Sequence, residues 1–218
     1  MKYDSLVYGK NQLERIVSIE PTDEGTEVFF EDEKGIVYSN VLENEYWILA
    51  NKPLDHLFHP MKGNLHYKFI KTYNSRRAFQ SDRSRWKDKD IFSIWDKKES
   101  FLVRSGVTYF KGMKFQDVSC LSFDIETTGL FHNKDAKVLI ISNTFRKNGI
   151  CTRKLFSYDQ YEDDGEMLKA WCEWVREIDP SIMLGHNIYS YDLPYMNYVA
   201  DQRGYRLILG RNDTPMEI

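Results

Sequence analysis

Apolar residues alternate with polar ones in the first fifty positions and recur at helical spacing only in the last third of the chain. Glu14 to Glu20 alternates imperfectly and ends at the turn Pro21-Thr22-Asp23-Glu24-Gly25. Thr26 to Phe30 reads as a second strand, Glu31 to Gly35 as a second turn, and Ile36-Val37-Tyr38 as the start of a third strand. Glu45 to Ala50 is a fourth apolar run, so this portion predicts an antiparallel meander. Tyr73 to Lys89 holds few large apolar residues and reads as an exposed loop or short polar helix. Phe92, Ile94, Trp95 and Phe101-Leu102-Val103 return to the composition of a core.

From Asp117 the pattern becomes mixed α/β. Val118 to Ile125, Lys137 to Ser142 and Cys151 to Phe156 predict three strands. A helix follows, capped by Asp163 with Glu166 three residues on. Its apolar positions, Met167, Leu168, Trp171, Trp174, Val175 and Ile178, fall at helical spacing, which makes the two tryptophans core residues. Ser181 to Gly185 predicts a short strand, Leu193 to Gln202 another helix, and Arg206 to Gly210 a further extended piece.

The 218 residues, 42% of them hydrophobic and 29% charged, suit one large globular domain or two small ones. No window approaches the ~18 consecutive apolar residues of a membrane span, and no apolar stretch follows Met1 as in a secretory signal. Three scattered cysteines, Cys120, Cys151 and Cys172, give neither a disulfide framework nor a zinc pattern, so a reduced intracellular protein is expected. The net charge of −3 conceals an asymmetry. Residues 1–61 carry 5 basic and 12 acidic side chains, residues 62–114 carry 14 and 5, and residues 115–218 carry 11 and 16. A central block at +9 is the asymmetry expected of a polyanion contact, though on charge alone a solvated surface accounts for it equally well. Arg76, Arg77, Arg83 and Arg85 are its candidates for nucleic-acid phosphates; neutralisation of the acidic first sixty residues is the rival use.

Two motifs carry chemistry. In Ser122-Phe123-Asp124-Ile125-Glu126-Thr127-Thr128-Gly129, the two carboxylates lie two apart on a strand, on one face and ~7 Å apart. Phe123 and Ile125 then face apolar packing. Paired acids on such a strand repel each other and are costly to desolvate, which a hard divalent cation relieves. In Gly185-His186-Asn187-Ile188-Tyr189-Ser190-Tyr191-Asp192-Leu193-Pro194-Tyr195, a strand runs through a loop into a helix. Asp192 stands where it can cap that helix, and Asn187 leaves the strand's carboxyl end, where open α/β sheets present ligand sites.

Together, D-I-E-T-T-G and H-N-x-x-x-Y-D-L-P-Y resemble the first two motifs of the four-carboxylate 3′→5′ exonucleases. The finer resemblance is to the proofreading domain of family B DNA polymerases. Asp201 to Asp213, with its L-G-R segment, is similar to the family's next stretch, and the strand-rich leader to its N-terminal domain. The resemblance implies a β-rich N-terminal domain over 1–116 and, over 117–218, the first part of an RNase H-like exonuclease domain. Catalysis and metal binding would fall to Asp124, Glu126 and Asp192, with two magnesium or manganese ions. Thr127, Asn187 and Tyr191 would contact the substrate strand. The implied reaction is hydrolysis of the 3′-terminal phosphodiester of single-stranded DNA, and the implied partners are template-primer DNA and the remainder of a polymerase chain, with no membrane. A cytoplasmic setting in a prokaryotic, archaeal or viral host follows. No Y-x-x-x-D lies between Asp192 and Ile218, so the family's third motif is missing and an N-terminal piece of a longer polymerase, weakly active or inactive alone, is expected. A free-standing exonuclease of this superfamily and a non-catalytic single-strand-binding module are the alternatives.

Overall fold

The computed structural model describes residues 9–63 and 65–216. It divides after Met113 into two compact units. In the first, β1 (Ile16–Pro21), β2 (Thr26–Glu31) and β3 (Val37–Leu42) form the expected antiparallel meander. The fourth run, β4 (Tyr46–Ala50), leaves that meander. It sits inside a second antiparallel sheet with β5 (His59–Pro60), β6 (Phe69–Tyr73) and β7 (Ile91–Phe92), in the order β5-β6-β4-β7.

Helix α1 (Arg76–Arg85) follows β6, capped by the Ser75 hydroxyl, which accepts the Ala78 N–H. It buries Phe79 against Ile48, Tyr73 and Trp86. Lys71 is buried beneath it, its ammonium donating to Asp55 and Asp82 at 2.6 Å each. Paired in this way a buried lysine keeps its charge, which burial alone opposes. Helix α2 (Lys97–Ser105) packs Phe101 onto Ile16, Ile19, Val28 and Phe30 of the first sheet. Phe101-Leu102-Val103 is too short an apolar run to show helical periodicity by itself. The marks of the helix are Asp96, which caps the Glu99 N–H at 2.7 Å, and Gly106, left-handed at φ 74° where the helix ends.

The second unit is one mixed sheet with helices on a single face. Strands β8 (Cys120–Thr127), β9 (Val138–Lys147) and β10 (Ile150–Ser157) run antiparallel. Asn148-Gly149 closes the β9–β10 hairpin, both residues at positive φ as a two-residue turn demands. Helix α3 (Asp164–Ile178) begins at the predicted Asp163 cap, which accepts the Glu166 N–H at 2.9 Å. Strand β11 (Ile182–Leu184) then lies parallel to β8, giving the order β10-β9-β8-β11, and helix α4 (Asp192–Gln202) follows.

The core packs Leu121, Phe123 and Ile125 of β8 against Met167, Leu168 and Trp171 of α3 and Tyr195, Met196 and Val199 of α4. Asn143 is buried among them. It accepts the Trp171 indole N–H at 2.9 Å and donates to the Ile141 and Lys154 carbonyls. The expected extended piece at Arg206 to Gly210 is reduced to one bridge, Ile208 to Pro215. Arg211 turns back to Asp179 at 2.6 Å, bracing the α3–β11 connection.

Candidate active site

Strand β8 alternates as predicted. Phe123 and Ile125 are buried among the helices, while Asp124 and Glu126 are exposed on the opposite, uncovered face. The β8 pairings place Asp124 opposite Ser142 and Ser122 opposite Thr144. Around them lies an open groove of about 380 Å³ that also reaches Arg153 and Leu155 of β10.

Strand β11 pairs β8 only as far as Ser122, and the chain must then leave the sheet without uncovering the next amides. Gly185 makes that departure possible. A Cβ there would stand 2.5 Å from the Phe123 carbonyl oxygen and 2.5 Å from the Ile188 side chain. Asn187 takes the left-handed conformation at φ 58°, which asparagine tolerates, and its carbonyl accepts the N–H groups of Ser190 and Tyr191. This turn returns the chain to β8 at Asp192.

Asp192 does not cap α4. Tyr191 occupies the cap position without a side-chain bond, and Asp192 is the first helical residue. Its carboxylate instead accepts the Ile125 N–H at 3.3 Å, at the amide that lies between Asp124 and Glu126 in the chain. The side chain is 2% exposed. Burial raises its pKa above the usual carboxylate range; the Ile125 and Asp192 amides oppose this, the Asp124 carboxylate adds to it, and His186 opposes it. A buried acid beside a second acid is a poor arrangement for stability and a good one for a cation.

Thr127 and Tyr191 also meet. Their hydroxyls hydrogen-bond to each other at 2.9 Å, so one of the two is left to donate to the Gly129 carbonyl, which lies 3.0 Å from the Thr127 hydroxyl and 3.4 Å from the Tyr191 hydroxyl. The Asn187 side chain is exposed and hydrogen-bonds to no described residue. The same two loops expose Leu130, Phe131 and Tyr189, positions that no periodicity marks in the sequence. Among the described residues, no three His, Cys, Asp or Glu side chains converge on one point. The Asp124 charge acts on Asp192, and Glu126 follows two residues along β8 on the same uncovered face as Asp124. No described helix is long and apolar enough to cross a membrane.

The chain matches the DNA polymerase family B exonuclease domain over residues 95–205, half its length, and belongs to that family. Among curated relatives it is 30% identical over 120 residues to the DNA polymerase of Thermococcus litoralis, covering 51% of this chain and 7% of that one. It is 35% identical over 94 residues to the DNA polymerase delta catalytic subunit of Arabidopsis thaliana, covering 35% of this chain and 9% of that one. The chain thus spans less than a tenth of these relatives. The family B DNA polymerase of Pyrobaculum calidifontis shares its fold, with a TM-score of 0.63 at 15% identity over 89% of this chain and 32% of the other.

Proposed function

We propose that the chain is the N-terminal and proofreading region of a DNA-directed DNA polymerase, whose second unit hydrolyses the 3′-terminal phosphodiester of single-stranded DNA. The observation that carries this reading is the buried Asp192 carboxylate resting on the Ile125 amide, beside Asp124 and next along the chain to Glu126. The donors are hard carboxylate oxygens, one of them desolvated and facing like charge, which suits magnesium or manganese and not a softer metal. Asp124, Glu126 and Asp192 would hold such ions, which when bound activate water and stabilise the leaving 3′-oxygen. The residues' own work is positional. Asp192 is fixed by the β8 amide; Thr127 and Tyr191 are fixed by each other and by the Gly129 carbonyl, and offer hydroxyls and a ring to the strand's end. Phe131 and Tyr189 present rings on which bases can stack, and the Asn187 amide is free to hydrogen-bond the strand. Template-primer DNA and the remaining polymerase chain are the partners this reading entails, in an intracellular setting.

Held by Asp124, Glu126 and Asp192, Mn²⁺ is expected to bind the 218-residue chain weakly, at millimolar order, with slow 3′ trimming of DNA. Titration calorimetry with Mn²⁺, beside electrophoresis of a 5′-labelled oligonucleotide, tests this. Asp124→Ala and Asp192→Asn should each abolish binding and any residual 3′ trimming. Mn²⁺ binding that survives both substitutions unchanged would sink the assignment.

A further inference from the structure

The arginines of the basic block differ in their partners, as do two of its lysines. Lys71, Lys98 and Arg104 pair with the acidic first sixty residues, through Asp55, Glu20 and Glu45 respectively. Arg85 lies 3.9 Å from Asp82 on its own helix. Arg76, Arg77 and Arg83 pair with no described carboxylate. Neutralisation of the leader therefore accounts for one part of the block and leaves these three guanidinium groups over.

Two of the three are held in place. Arg76 and Arg83 are seven residues apart, two turns of α1, and so lie on one side of the helix. Both stand over the Trp95 ring, 5.7 and 4.8 Å from its centroid. Arg83 is fixed a second time, its Nε donating to the Ser93 hydroxyl at 3.1 Å. Trp95 itself is 52% exposed, unusual for the largest apolar side chain. An exposed indole that immobilises two unpaired guanidiniums pre-orders donors for phosphate and keeps a stacking surface beside them.

We propose that Arg76, Arg77, Arg83 and Trp95 form a binding platform for single-stranded DNA in the first unit, separate from the acidic site of the second. Phosphates pair with the guanidiniums, and one base stacks on the open part of the indole. Sequence preference is absent, because phosphate contacts and stacking carry little of it. The platform does not depend on the exonuclease reading, since its chemistry needs neither metal nor carboxylate.

The test is fluorescence anisotropy of a labelled oligo-dT with the 218-residue chain, in EDTA, across several salt concentrations. Three phosphate contacts at ~0.7 each put the combined substitution Arg76→Ala, Arg77→Ala, Arg83→Ala about 2 units lower in log–log salt slope. Trp95→Ala should weaken binding about tenfold at fixed salt, and Trp95→Phe should restore most of it. Arg77→Gln, at an exposed site, should lower the slope by about 0.7 without disturbing the fold. Slopes unchanged in both arginine variants would overturn the proposal, as would a lowered melting temperature with DNA affinity intact. Poly-glutamate competing as well as the oligonucleotide, with Trp95→Ala indifferent, would reassign the surface to an acidic protein. Because EDTA removes any metal-dependent event, failure here leaves the exonuclease reading standing, and the converse holds.

Discussion

Asp192 offers a perturbation whose sign separates a carboxylate kept for folding from one kept for a ligand. Asp192→Asn keeps an oxygen that can accept the Ile125 N–H and removes the charge; Asp192→Ala removes both. Leaving a buried amide without an acceptor costs about 1–3 kcal/mol, so the alanine variant should fall below the asparagine variant by that amount. The asparagine variant itself should match or exceed the parent at pH 7. In the parent the folded-state pKa of Asp192 is raised, so the native state binds the proton more tightly than the unfolded chain does, and ionisation costs stability. That cost is absent below the ordinary carboxylate value of 3.8, grows as pH rises toward the folded pKa, and is fully present above it. One term opposes the gain: an anion in the first turn of α4 is favoured by the helix dipole by about 0.3–1 kcal/mol. Urea melts in EDTA at pH 7 and again near pH 4 measure all three proteins. The expected order at pH 7 is asparagine at or above parent, then alanine, with the asparagine advantage shrinking at the lower pH. An asparagine variant as unstable as alanine would refute the reasoning and make the carboxylate a structural anchor.

Further outcomes follow from the same packing. Gly185→Ala drives a methyl into the Phe123 carbonyl and should cost about 1–3 kcal/mol in the same melts, while weakening Mn²⁺ binding because the 186–191 turn is displaced. Asn143→Leu strands the Trp171 N–H, at about 1–3 kcal/mol, and also strips the Ile141 and Lys154 carbonyls of a donor; in a Trp171→Phe background only the indole's share should vanish, and strict additivity would disprove the coupling. Cys172 is buried, with burial pushing its thiol up to about 11, whereas Cys151 is exposed. Alkylation at pH 8 followed by peptide mapping should therefore label Cys151 rapidly and Cys172 only after unfolding.

The second unit was more legible than the first, for physical reasons. Its strands are bounded by charged turns, and α3 announces itself by a capping box and an unbroken apolar stripe from Met167 to Val175. The D-x-E alternation on β8 follows from period two alone, so the uncovered position of Asp124 and Glu126 was readable. The use of Asp192 was not. Local rules assign an Asp at that point to the helix cap, and only the end of β11 at Leu184 exposes an amide of β8 that competes for it. In the first unit, β4 reads as a fourth strand of one meander, but its partners β6 and β7 lie about twenty to forty residues further on. Nothing local encodes such a pairing. The pairing of Lys71, and the freedom of Arg76, Arg77 and Arg83, likewise depend on which acids the fold brings near.

The order of strands in the second unit sets the order in which its site can come into being. Strands β8, β9 and β10 are joined by neighbouring connections, so their hairpins can close early, at low loop entropy. Strand β11 reaches β8 from 62 residues away, where Ile182 stands beside Cys120, and only after α3 has crossed back over the sheet. Asp124 and Glu126 are thus in place while Asp192 still belongs to an unformed turn. The acidic centre is completed by the slowest, most distant pairing in the unit, so a chain emerging during synthesis has the strand half of the centre before it has the helix half.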